Sequence, residues 1–274
     1  MNKSVSIIGC GWLGLPLAEK LIAEGYTVKG STTTPSKLPL LETAGITPFL
    51  IDLPETPLAT LADFLDSELL VVNIPPGRRN PDVEKHHSAQ MRYLYEVVRK
   101  SGIKRVIFVS STSVYAPLGR LVTEAYTALN TPDTASGRVL RKVEQLWLQN
   151  DNPFTTTILR MAGLVGGNRH PVKYLAGKTN LPNADAPVNL VHLHDCLAAV
   201  TLVLNNPPRS TVYNICADEH PTRQQFYTFA ARKLGLEPPQ FLSTKSAGFN
   251  IIDNSLFKSD YHYHYRYPSP MLFY

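Results

Sequence analysis

The chain predicts an α/β fold of the Rossmann kind, a doubly wound and mostly parallel sheet with a small C-terminal substrate-binding lobe. Three observations carry that expectation. Short β-rich apolar runs alternate with amphipathic stretches, the rhythm of repeated strand-helix-strand units. The first apolar run leads directly into Gly9-Cys10-Gly11-Trp12-Leu13-Gly14 and from there into a helical pattern. With 274 residues, 43% of them hydrophobic, the chain is long enough for one large α/β domain or two lobes on one sheet.

Taken in order, a strand is expected over Val5 to Ile8. A helix follows from Leu13 to Glu24, where Leu13, Leu17 and Leu21 share a face and Gly25 suits the left-handed residue after the last turn. The alternation then predicts strands at Tyr26 to Gly30, Thr47 to Ile51, Leu69 to Ile74, Arg105 to Ser110 and Thr155 to Arg160, with helices at Lys37 to Ala44, Val83 to Ser101 and Thr134 to Gln149. From Gly163 to Pro187 the chain turns rich in Gly, Pro and Asn, then regains regularity as strand Val188 to Val191, helix His194 to Leu204 and strand Val212 to Ile215. Thr222 and Gln225 have capping-box spacing for a helix closing at Gly235. No element is assigned from Leu236 to Tyr274, a stretch rich in Pro and Tyr. The expected division is a dinucleotide-binding domain over residues 1–162, with 188–215 returning to it, and a substrate lobe from 163–187 and 216–274.

The net charge of +5 is spread along the chain with no run of five like charges, so it suits attraction of small anions rather than a nucleic-acid or membrane partner. Cys10, Cys196 and Cys216 are odd in number and far apart, which suggests neither a disulfide framework nor a zinc site and fits a reducing cytoplasm. The N-terminal stretch lacks the layout of a signal peptide, and no segment approaches about 18 uninterrupted apolar residues.

The glycine-rich turn carries the sharpest chemistry. Its first glycine makes the bend, the second lets backbone approach a pyrophosphate, and the third lets helix and strand pack closely, with Trp12 and Leu13 at the helix N-terminus facing the phosphates. The competing reading is a tight turn with no ligand. No Asp or Glu follows at the end of the second strand to hold a ribose 2′-hydroxyl. Ser31, Thr32 and Lys37 offer hydroxyls and a cation there instead, which favours NADP over NAD through charge-assisted hydrogen bonds to a 2′-phosphate. Asp52 and Leu53 are placed for the adenine, and Ile74 and Pro75 at the end of the fourth strand complete the expected cofactor contacts.

In this turn, in Arg105-Val106-Ile107-Phe108-Val109-Ser110-Ser111-Thr112-Ser113-Val114-Tyr115, in Leu159-Arg160-Met161-Ala162-Gly163, in Val188 through Asp195 and in Tyr213-Asn214-Ile215-Cys216, the sequence resembles the extended short-chain dehydrogenase/reductases, including the NAD-dependent epimerase/dehydratase group. The resemblance covers nearly the whole chain. Gly167 through Pro171, Ala176 through Thr179 and Gly235 through Phe241 are similar to the bacterial YeeZ-type branch. The resemblance implies the fold, a nicotinamide cofactor and scope for a homodimer.

Family enzymes lower a phenol pKa with a Lys four residues along the same helix face, and a Ser or Thr holds the reacting oxygen. The resemblance puts Ser111 in the Ser position, against the alternative of a strand-end Ser satisfied by its own loop. The Tyr slot falls on Ser136 and the Lys slot on Leu140, while Arg141 and Lys142 point away from that slot. Tyr174 and Lys178 repeat the spacing, but in an irregular segment containing Gly177. Thr112 and Ser113 replace the acidic pair of the family's dehydratases, which argues against dehydration.

Tyr115 is a candidate acid or base, as are His170 and His192; their plainer readings are a ring packed under the cofactor, a surface residue and a cap for the next helix. Arg78 and Arg79, beyond the fourth strand, and Arg169, His170 and Lys178 in the second lobe are candidate anchors for an anionic substrate, a solvated basic surface being the alternative. His262 and His264 would share one face of a strand near Asp260, but an aromatic tail packed on the second lobe is the preferred reading and no metal is expected. Two functions therefore stand. One is an atypical oxidoreductase or epimerase acting on a nucleotide-linked sugar or other anionic carbonyl compound; the other is a non-catalytic module that senses NADP.

Overall fold

The structure, a computed structural model, describes residues 3–77, 82–128, 131–243 and 248–274. In chain order it contains β1 (Ser4–Ile8), α1 (Gly14–Ala23), β2 (Thr27–Thr32), α2 (Leu38–Thr43), β3 (Thr47–Leu50), α3 (Leu58–Phe64), β4 (Leu69–Val72), α4 (Val83–Val98), β5 (Arg105–Ser111), β6 (Leu121–Val122), α5 (Ala135–Trp147), β7 (Thr155–Met161), β8 (Gly163–Val165), β9 (Leu190–His192), α6 (Leu193–Asn205), β10 (Val212–Ile215), α7 (Arg223–Lys233), β11 (Ile251–Ile252) and α8 (Ser255–Tyr261).

Seven strands form a parallel central sheet in the order β10-β7-β5-β4-β1-β2-β3. The order turns back at β1, so β1 pairs with β2 on one side and β4 on the other. That reversal is the switch point at which open α/β sheets bind ligands, beyond the carboxyl ends of the strands. β4 is buried at every residue, as expected of a strand covered on both faces. The predicted Rossmann architecture is what the chain adopts.

Two compact units divide the chain: residues 1–114, 133–160 and 199–212 form the first, and 115–132, 161–198 and 213–274 the second. In the first, α1 buries Gly14, Leu17, Ala18 and Leu21. α4 and α5 turn Met91, Leu94, Val139 and Val143 inward at helical spacing. The second unit has its own core around Val165, Val172, Leu190, Phe226 and Phe273. There α7 opens with a complete capping box: the Thr222 side chain accepts from the Gln225 backbone, and the Gln225 side chain accepts from Thr222.

Several elements differ from the sequence expectation. α3 was not anticipated, because a seven-residue helix with only Leu61 and Phe64 buried offers too few turns to show a period. The expected strand Val188 to Val191 is observed two residues later as β9, which pairs with β8 in a separate two-stranded sheet. The unassigned tail contains α8, closed by His262 in a left-handed conformation, so no strand aligns His262 with His264. Its aromatic side chains pack as the preferred reading held: Tyr263 lies edge-on to Phe257 and Tyr265, with ring centroids 5.4 and 5.0 Å apart. Among the described residues no helix is long and apolar enough to cross a membrane, and no cluster of side chains has the makeup of a metal site.

Candidate functional site

The turn between β1 and α1 is built from local necessity. Gly9 has φ +101°, and a Cβ there would sit 2.5 Å from the Asn73 carbonyl oxygen. A Cβ on Gly14 would lie 2.2 Å from the Gly9 carbonyl oxygen, so only glycine lets α1 begin this close to the turn. Gly11 is different: its Cβ would meet nothing within 4 Å. The fold demands glycine at the first and third positions, whereas at the second the missing side chain leaves open space beside the backbone. No side chain caps the N-terminus of α1, so its first amides and dipole end suit an anion. Open backbone at Gly11 and uncapped amides together fit a dinucleotide pyrophosphate.

Neighbouring residues brace this loop. The Gly9 N–H donates to Ser31 Oγ at 3.0 Å, and the Cys10 N–H donates to the Ser31 carbonyl at 2.7 Å. Asn73, at the end of β4, donates its amide to the Gly9 carbonyl at 3.0 Å. The sequence reading missed Asn73, whose only signal was a polar side chain closing an apolar strand. Burial pushes the Cys10 thiol up to about 12, so it stays protonated and serves as packing beneath Gly30.

The other expected cofactor residues line the same unit. Thr32 Oγ1 accepts from the Thr34 N–H, and Lys37 is exposed in a short 3₁₀ turn. Asp52 is exposed, with its N–H donating to Thr56 Oγ1 at 2.8 Å, and Leu53 is buried beside it. Ile74 is half-buried and Pro75 exposed just beyond β4. Arg78 and Arg79 lie outside the described residues.

Ser111 ends β5, half-buried, and its Oγ accepts from the Ser113 N–H at 3.2 Å. Its own loop therefore uses the oxygen as an acceptor, while the O–H proton remains a donor. On α5, Leu140 is buried at 3% exposure, which confirms that the Lys slot holds an apolar core residue. The nearby cations Arg138 and Lys142 both turn to Glu84 of α4, at 2.8 and 3.5 Å. The Arg138 hydrogen bond holds the Glu84 carboxyl below its ordinary range.

One turn further along α5 lies a group the sequence reading did not single out. Glu144 is buried and paired with buried Arg160 of β7 at 2.7 Å, with a second contact from Arg160 Nε at 3.1 Å. The Ser110 hydroxyl donates to the same carboxylate at 2.5 Å. A signal existed: Leu140, Val143, Glu144 and Trp147 form one helical stripe, and Arg160 sits inside an apolar strand. Two opposite charges in apolar positions imply a partnered pair.

In the second unit, Tyr115 is buried and donates its hydroxyl to Asn214 Oδ1 at 2.7 Å. Asn214 is held in turn by its N–H donating to Glu124 and its side chain to the Asp253 carbonyl. His192 Nδ1 accepts from the His194 N–H at the start of α6, the capping role expected of it, and its ring packs on Tyr267 with centroids 3.9 Å apart. Burial holds the His192 imidazole below its ordinary pKa. The carboxylate of Asp195 accepts from the Tyr263 hydroxyl and the Arg266 N–H, tying the C-terminal segment to α6.

His170 corrects the expectation of a plain surface residue. It is half-buried against Tyr274, ring centroids 5.5 Å apart, with its Nδ1 buried and without a hydrogen-bond partner. The cause is the C-terminal residue folding back over it, a contact no local pattern encodes. Arg169 and Lys178 are exposed. Tyr174 is 75% exposed, and Gly177, at φ +69°, breaks the backbone between it and Lys178, so the two share no helix face.

Residues 9–201 match the NAD(P)H-binding family. The chain belongs to that family. It is similar to Protein YeeZ of Escherichia coli K12, at 42% identity over 98% of both chains, and to the Protein YeeZ of Escherichia coli O157:H7 at the same identity and coverage. It is thus a YeeZ-type member of the extended short-chain dehydrogenase/reductases. Its backbone is similar to that of UDP-glucuronic acid 4-epimerase from Bacillus cereus, solved with UDP-glucuronic acid and NAD, at a TM-score of 0.80 and 18% identity, covering 98% of this chain and 95% of that one. UDP-glucose 4-epimerase from Thermotoga maritima gives a TM-score of 0.80 at 16% identity, covering 98% and 97%. At such identities the likeness speaks for the fold alone.

Proposed function

We propose that this chain is an NAD(P)-dependent oxidoreductase or epimerase of atypical build, acting in the cytoplasm on a nucleotide-linked sugar or another small anionic carbonyl compound, with NADP preferred over NAD. The observation that carries the reading is Gly11: a glycine the fold does not require, beside uncapped amides, in a chain of the NAD(P)H-binding family. When bound, the cofactor supplies hydride transfer. Gly9, Gly11, Trp12, Leu13 and Gly14 would hold its pyrophosphate, and Ser31, Thr32 and Lys37 its 2′-phosphate. Asp52 and Leu53 would receive the adenine, and Ile74 and Pro75 the chain beyond β4.

For the chemistry, the Ser111 hydroxyl would donate to the reacting oxygen and Tyr115 would act as the acid or base. Arg78, Arg169, His170 and Lys178 would bind the anionic part of the substrate. Support for a sugar nucleotide comes from the solved relatives, two of which carry UDP-glucuronic acid with NAD. A second reading, a module that senses NADP without turning over substrate, is favoured by buried Leu140 in the Lys slot.

Calorimetric titration with NADPH, NADH, NADP and NAD tests the shared premise. Saturable binding that is tightest for the 2′-phosphorylated forms is expected, and no binding of any of the four overturns both readings. Turnover of UDP-glucuronic acid or UDP-glucose that falls in Ser111→Ala with cofactor affinity unchanged selects the enzyme. Tight cofactor binding with no turnover across sugar nucleotides and simple anionic carbonyl compounds selects the sensor.

A further inference from the structure

A second cavity, of about 600 Å³, lies within the first unit, away from the glycine-rich turn. Its walls are the C-terminal end of α5 at Trp147, the following loop, the opening residues of β7 at Thr155 and Thr156, and residues 208–211 leading into β10. In a parallel sheet the starts of β7 and β10 lie at the edge opposite the end of β1, where the turn sits. The volume is within the range of small-molecule sites.

Two of its lining residues carry buried polar atoms with no hydrogen-bond partner, the indole N–H of Trp147 and the hydroxyl of Thr156. Trp147 is 0% exposed and Thr156 8%. An unpaired buried polar atom costs roughly 1–3 kcal/mol, so two at one cavity mark a place built to receive a partner. The unused capacity is mainly of the donating kind. An indole N–H can only donate, and the side-chain carbonyls of Gln149 and Asn152 are already turned to the Tyr95 hydroxyl, at 2.8 and 2.7 Å. Arg209 is the only charged residue in the lining, and it is exposed at the rim. Leu148, Phe154 and Pro208 supply apolar wall.

We propose that this cavity is a second ligand site, for a small carboxylate with an apolar body. The carboxylate accepts from the Trp147 indole, the Thr156 hydroxyl and the Arg209 guanidinium, and the body lies against Leu148, Phe154 and Pro208. The site belongs to the wall of the nucleotide-binding unit rather than to the turn, and it stands independently of the function proposed above.

The chain has two tryptophans, Trp12 in the turn and Trp147 at the cavity. The two indole N–H signals in a proton-nitrogen NMR spectrum therefore report the two places separately, and Trp12→Phe assigns them. Titration with sodium benzoate, against sodium chloride and inorganic phosphate at equal ionic strength, is expected to move the Trp147 signal downfield and saturably while the Trp12 signal stays. Arg209→Gln, a surface change that leaves the fold intact, is expected to weaken this response about ten-fold, and Thr156→Val to weaken it as well. A Trp147 signal that does not move, that moves equally with chloride or phosphate, or that responds identically in Arg209→Gln overturns the proposal. NADP moving the Trp12 signal alone would leave the cofactor reading standing while the second site falls.

Discussion

The β1-α1 turn and the β5-α5 region sit in the same unit and were shaped by different demands. In the turn every feature expected of a dinucleotide loop is present: Gly9 and Gly14 where backbone allows nothing larger, Gly11 open, Ser31 and Asn73 bracing the bend. In the second region Ser111 stands at the strand end, but the helix beside it carries apolar Leu140 and, one turn on, the buried Glu144–Arg160 pair. Binding geometry and proton-transfer geometry are separable within one fold. A chain can keep the first complete while its second is rebuilt around a structural ion pair.

The largest test of that contrast is Glu144→Ala. It strands the Arg160 guanidinium in the core, and an expected loss of about 3–5 kcal/mol would appear in urea denaturation. A loss under about 1 kcal/mol would mean the pair does not anchor α5 to β7.

Next comes the acid limb of stability. His87 on α4 is 2% exposed, and burial holds its imidazole down to about 4 from an ordinary 6.5. The folded pKa is below the unfolded one, so the unfolded chain binds the proton first. The stabilisation is whole above about pH 6.5 and is lost as pH falls towards 4, on the order of 3 kcal/mol in full. His87→Leu should flatten the pH dependence of the unfolding free energy over that window. His192 and His220, also held low by burial, leave the residual slope. An unchanged slope in the variant would show that His87 is accessible to protons in the native state.

Gly11→Val separates binding from folding. With no atom within 4 Å of the new Cβ, unfolding should change little, while affinity for the dinucleotide should fall by about 100-fold or more, about 2.7 kcal/mol. Gly14→Ala should instead fail in stability, because its Cβ meets the Gly9 carbonyl oxygen at 2.2 Å. If Gly11→Val binds as the parent does, the open space at the turn is not where the cofactor lies.

The smallest effect belongs to the cap of α5, where Thr134 Oγ1 accepts from the Gly137 N–H at 3.0 Å. Thr134→Ala should cost about 1 kcal/mol in thermal or chemical unfolding. No measurable loss would place the start of that helix under tertiary control alone.

Much was legible from local pattern. The glycine spacing, the 3.6-residue stripes of α1 and α5, the Thr222-Gln225 capping box and the alternation of elements are each set within a dozen neighbouring residues, and each was observed as expected. So was Leu140 in the Lys slot, since helical phase alone turns Arg141 and Lys142 away from it. Short elements escaped because α3, β6 and β11 span too few residues to display a period. The tail escaped for another reason: its order comes from Asp195 and from aromatic neighbours far along the chain.

By itself, then, the sequence determined the architecture, the dinucleotide turn and the loss of the Tyr and Lys pair, because periodicity and glycine geometry are local constraints. Only the tertiary structure decided that Glu144 meets Arg160 from 16 residues away, that His170 is covered by Tyr274, that Gly11 rather than Gly9 or Gly14 faces open space, and that Trp147 and Thr156 are left unpaired at a second cavity. Burial and hydrogen-bond satisfaction depend on which distant segments meet, and that is settled only when the chain closes on itself.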